Sequence, residues 1–132
     1  MKSIYFWSPF NSKIGTINSV INSIKSIKKY SNKKFRPVLL DTTYEWTNYE
    51  KICEIKYLRQ GQQDLRKLNN KGFFFSRIFF LRIFISCFFS LRKIIKKDNP
   101  DFLIIHLITS LPIILFIIFN FKTKLILRIS GE

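Results

Sequence analysis

A single histidine closes one apolar run, Ile104-Ile105-His106, and an Arg-Ile-Ser-Gly tetrapeptide beginning at Arg128 closes another. An imidazole titrates near neutrality and can give or take a proton; a guanidinium holds carboxylate or phosphate. Their places matter as much as their types, because in an open parallel sheet ligands bind outside the carboxyl ends of the strands. A structural histidine and an edge-capping arginine are the competing readings. Asp41 and Glu45 follow a third apolar run and could accept a sugar or ribose hydroxyl or act as a base, although a solvated loop acid would look the same. Ser8 to Gly15 precedes a helix start, where free backbone N–H groups favour anions. Its one glycine does not make a dinucleotide fingerprint. The sequence holds no Ser-His-Asp set, no P-loop and no metal cluster. Cys53 and Cys87 lack metal-ligand spacing and read as buried, reduced thiols.

The elements that must position these groups follow from hydrophobic spacing and breakers. Ser3 to Trp7 reads as a first strand ended by Ser8-Pro9. Thr16 can cap a helix to about Tyr30, with Ile17, Val20, Ile21, Ile24 and Ile27 on one face and Asn18, Asn22, Lys25, Lys28 and Lys29 on the other. Arg36 to Asp41 is a second strand and Ile52 to Leu58 a third. Gln60 to Lys71 is a polar loop, and Phe73 to Lys97 a long helix stopped by Asp98-Asn99-Pro100-Asp101. Phe102 to His106 is the fourth strand, Ser110 to Phe119 a helix with Pro112 in its first turn, and Lys124 to Ile129 the fifth strand. This alternation predicts a doubly wound parallel α/β sheet of Rossmann-like type.

At 132 residues the chain is one domain at most. Lys and Arg outnumber Asp and Glu 23 to 8, a net charge of +15, and there are 15 Phe. Such a field attracts nucleic acid, anionic lipid or phosphorylated substrates, although an AT-rich coding sequence would also produce the Lys, Asn, Ile and Phe bias. The amino terminus lacks a secretory signal, which predicts a cytoplasmic protein. Phe102 to Phe119 carries no charge and approaches the length of a bilayer span, yet His106, Thr109, Ser110 and Pro112 interrupt it, and strand-turn-helix explains it better. On the Phe73–Lys97 helix, Phe73, Phe80 and Phe84 interleave with Arg77 and Arg82. Rings sunk into headgroups with snorkelling arginines would make a monotopic contact with anionic lipid; a core helix with a few exposed Phe is the plainer account. Nucleic acid is not expected, because the Phe residues fall in apolar helix runs rather than on a basic stacking face.

In order along the chain stand Trp7-Ser8-Pro9, Ile14-Gly15-Thr16 opening a helix with Asn-Ser-Val-Ile-Asn-Ser-Ile, Tyr44-Glu45-Trp46, Pro100-Asp101, His106-Leu-Ile-Thr-Ser-Leu-Pro112 and Leu127-Arg128-Ile-Ser-Gly131. This series resembles the amino-terminal domain of family-4 retaining glycosyltransferases of the GT-B type, closest to members that assemble surface polysaccharides. The resemblance implies an enzyme that moves sugar from a nucleotide sugar to a lipid-linked or glycan acceptor, with no metal, at the inner membrane face. It implies that Gly15 and Thr16 face the donor phosphates while Glu45, His106 and Ser110 line the acceptor side; His106 and Glu45 are then the expected catalytic residues, and Ser110 and Arg128 the expected acceptor-binding ones. The donor-binding domain of that family is missing from the sequence, so the expectation is a truncated acceptor-side domain, inactive alone. The alternative expectation is a small, basic, non-enzymatic membrane protein built on a helical hairpin.

Overall fold

The structure is a computed structural model. It describes residues 1–8, 15–42, 44, 46–58, 73–106 and 110–128, without the side chains at 15–16, 73–77, 79–80, 82–84, 86 and 110–111. Five strands, β1 (Lys2–Trp7), β2 (Phe35–Asp41), β3 (Glu54–Tyr57), β4 (Phe102–His106) and β5 (Lys124–Arg128), alternate with helices α1 (Gly15–Tyr30), α2 (Phe73–Asp98) and α3 (Ser110–Phe119). The strands form one sheet in the order β3-β2-β1-β4-β5, every pair parallel. The expected Rossmann-like α/β class is what the chain adopts. β3 is shorter than the Ile52–Leu58 run, because Tyr49, the last residue of a 3-10 turn at Thr47–Tyr49, accepts the N–H groups of both Ile52 and Cys53 on its carbonyl and delays the strand. Helix α1 begins at Gly15, so Thr16 lies inside it rather than capping it.

Alternation of side chains along the strands splits the core in two. Ile4, Phe6 and Leu39 meet Val20, Ile21 and Ile24 of α1 on one face, with Trp46 and Cys53 closing that layer. Tyr5, Trp7, Val38, Leu40, Leu103 and Ile105 meet Cys87, Leu91 and Ile95 of α2 and Leu115 of α3 on the other. Strands buried on both faces need the continuous apolar runs that the sequence has. Pro37 lies in an inner strand, but β3 pairs with β2 only from Val38 onward, so there the ladder has a neighbour on one side alone. Asn99 and Asn120 end α2 and α3 in the left-handed region, φ 43° and 44°, each donating its N–H four residues back, to Ile95 and Phe116. Asparagine tolerates that geometry, and Pro100 then forbids further helix.

Candidate functional site

The connections after β1 and β4 run to opposite sides of the sheet, so these neighbours form its topological switch point. That is where an open α/β sheet leaves a crevice. Ser8 is buried at the end of β1, and His106 ends β4 on the face that carries α1. The imidazole is 4% exposed and lies 6.1 Å from the Phe6 ring, between centroids. Burial, and then the positive charge of Arg128, push its pKa down to about 4. At neutral pH it is therefore uncharged, one ring nitrogen able to donate and the other to accept. Its Nε2 has no hydrogen-bond partner among the described residues. A base of that strength is weak near pH 7, while the neutral ring can still give or accept a hydrogen bond.

Arg128 stands opposite His106 in the β4–β5 register. Its guanidinium donates to the Ser23 hydroxyl at 2.7 Å, and that hydroxyl donates to the Ser19 carbonyl at 2.8 Å. The end of β5 is thus pinned to the middle of α1. Below this contact opens a cleft of about 400 Å³, lined by Phe6, Ser23, Ile27, Ile104, His106, Ile126, Leu127 and Arg128. Sequence reasoning placed His106 and Arg128 at one sheet edge and the structure brings them together. It missed Ser23, because that partner lies 105 residues from Arg128 and nothing local marks it.

At the end of β2, Asp41 is buried, and its carboxylate accepts the backbone N–H groups of Tyr44 at 2.8 Å and Trp46 at 3.1 Å. These two hydrogen bonds tie the loop after β2 to the end of the strand. The loop holds Tyr44 at φ 60°, a costly conformation for a bulky residue. The Tyr44 ring stacks on Tyr57 with centroids 4.9 Å apart, and the Tyr57 hydroxyl donates to Glu50 at 2.7 Å. Burial and the Glu50 carboxylate push Tyr57 up to about 12. Glu45 itself lies outside the described residues, between these two anchored neighbours. Gly15 opens α1 and Ser110 opens α3, both at the carboxyl edge of the sheet, and the side chains of Thr16 and Ser110 lie outside the description.

A second polar group lies away from this edge. The Tyr5 hydroxyl donates to Asp98 at 2.8 Å, and Lys56 Nζ donates to Asp98 at 2.6 Å and to the Tyr5 oxygen at 3.0 Å. Burial alone would raise the Asp98 pKa, but these hydrogen bonds outweigh it and hold the carboxyl below its usual range. The group ties β1, β3 and the end of α2 together. Neither its three members nor their union is visible in sequence spacing.

The Phe102–Phe119 stretch divides into β4 and α3, and among the described residues no helix is long and apolar enough to cross a membrane. The side chains of Phe73, Arg77, Phe80, Arg82 and Phe84 lie outside the described residues. What α2 does expose is a stripe of Ile78, Leu81, Ile85 and Phe89. Neighbouring α3 exposes Ile114, Ile117 and Ile118. Compared with known proteins, the chain matches no family model and no curated protein.

Proposed function

We propose that this chain is the acceptor-side domain of a GT-B type glycosyltransferase, moving a sugar from a nucleotide sugar to a lipid-linked or glycan acceptor at the inner face of a membrane. The observation that carries the reading is His106: a buried, uncharged imidazole with an unpartnered nitrogen, beside the switch point and level with Arg128. In sugar transfer an acceptor hydroxyl attacks the anomeric carbon and the nucleoside diphosphate leaves with its charge. His106 would orient that hydroxyl by hydrogen bonding. Arg128, with the α1 and α3 amino-terminal ends, would hold phosphate charge without a metal. Glu45, which follows β2 in the sequence, would serve catalysis with His106, and a second domain facing the carboxyl edge would present the donor over Gly15 and Thr16.

The chain has one histidine, so its ring signals in NMR report this site alone. Titration with oligosaccharides and with lipid-linked sugars in detergent should shift them saturably, and His106→Phe should abolish binding. If no glycan, free or lipid-linked, moves the imidazole signals, the reading fails.

The exposed apolar residues of α2 and α3, together with the +15 charge, favour a second reading, a basic membrane-associated protein with no enzymatic role. Tight binding to anionic vesicles with no glycan response at His106 would select it.

A further inference from the structure

The face of the sheet that carries α1 is covered unevenly. Val20, Ile21 and Ile24 pack over β1 and β2, whereas Ile126 on β5 stays 42% exposed. The cleft of about 400 Å³ lies between, within the size range of small-molecule sites. Strand register gives this cleft a polarity. His106 pairs with Arg128, Ile104 with Ile126, and Phe6 with Ile104. Residues two apart on a strand share a face, so the hydrogen-bonding and charged pair occupies the carboxyl end while the depth is apolar.

Two features of that polar end are suited to a polar ligand. His106 Nε2 is buried and unpartnered among the described residues, a costly state for a polar atom unless something occupies the site. Arg128 gives one donor to Ser23, and a guanidinium has five. A sugar pushed into the apolar depth would leave hydroxyls unpaired. A bilayer would instead be met by α2 and α3, which lie on the opposite face of the sheet.

We infer that this cleft binds a single-chain amphiphile with an anionic head, the head oxygens taken by Arg128 and His106 and the alkyl or isoprenoid chain laid against Phe6, Ile27, Ile104 and Ile126. The inference deepens the sugar-transfer reading, since such a ligand is the lipid part of a lipid-linked acceptor held by the same His106–Arg128 pair, and it rests on that reading. A phosphate or carboxylate head supplies the charge and acceptor atoms that the polar pair lacks, and the chain covers apolar surface that water now wets.

The test uses the whole chain, isotopically labelled, with octyl phosphate, hexyl phosphate, octanol and inorganic phosphate as probes. Octyl phosphate should move the lone imidazole signal saturably, well below the concentrations at which octanol or inorganic phosphate act. From hexyl to octyl phosphate, affinity should rise about fourfold per added methylene, the usual gain for a buried CH₂. Arg128→Gln should bring octyl phosphate down to the level of octanol, and retained octanol binding shows that the variant is folded. Ile126→Asp should remove both ligands while the amide spectrum of the core stays dispersed. Octyl phosphate that leaves the imidazole signal still, affinity independent of chain length, or equal binding of octanol and octyl phosphate by the unaltered chain would each overturn the inference. Small anionic vesicles that shift the imidazole as strongly as monomeric octyl phosphate would overturn it too, by assigning the effect to a membrane surface.

Discussion

His106 links the site to stability through its proton. Its pKa is about 4 in the fold against an ordinary 6.5, so the unfolded chain binds the proton more readily. Stability from this group is complete above pH 6.5, declines as the pH falls towards 4, and is flat below; the full excursion is on the order of 3 kcal/mol. Asp98 has the opposite kind of partner, and its lowered pKa places its loss below the ordinary carboxylate range, in a separate window. Denaturant melts between pH 7 and pH 4.5 should therefore show falling stability, and His106→Phe should flatten that slope. An unchanged slope in the variant would mean that the imidazole is not buried in its neutral form. The residue types at this site were legible in sequence, since a strand-end histidine stands out. Its weak basicity was not, because burial and the Arg128 charge arise only when β4 and β5 pair.

At the scale of elements, two ties hold helices to the sheet by contacts remote in sequence. The Tyr5–Lys56–Asp98 group fastens the end of α2 across β1 and β3. Asp98→Asn keeps the shape but loses the ion pair, whose side chains are 30% and 19% exposed for Lys56 and Asp98. Screening at that exposure limits the expected cost to about 1 kcal/mol, read from chemical denaturation at neutral pH. The outer side of α2 makes a different prediction. Ile78, Leu81, Ile85 and Phe89 recur at helical spacing, and Phe89 is 65% exposed. Arg92, Lys93, Lys96 and Lys97 follow on the same helix, so an apolar stripe runs into a cationic end. Flotation with anionic vesicles at low salt should recover the protein, and Leu81→Glu with Ile85→Glu should release it while leaving the melting temperature within a few degrees. Retained flotation of the double variant would assign the lipid contact elsewhere.

For the whole molecule, the +15 charge acts at long range and the fold acts at short range. Association with any anionic partner should weaken steeply between low and physiological salt, since exposed charges are screened within about 8 Å at 0.15 M. The sheet separates two surfaces that the charge alone does not distinguish. The α2–α3 side presents apolar residues outward, and the α1 side keeps a cleft that Arg128 and Ser23 help to line.

The amino-acid sequence by itself determined the elements and the class of fold. Phe102 to His106 and Ser110 to Phe119 take the bounds that their apolar runs and the Asn99-Pro100 break dictate, because helix and strand preference, capping and proline geometry act over a few residues. The strand order β3-β2-β1-β4-β5 was decided only by tertiary packing. So were the hydrogen bonds from Tyr44 and Trp46 to Asp41, the joining of Ser23 to Arg128, and the depressed pKa of His106. Each depends on groups brought together from distant positions and on the exclusion of water between them, and neither condition leaves a local mark on the chain.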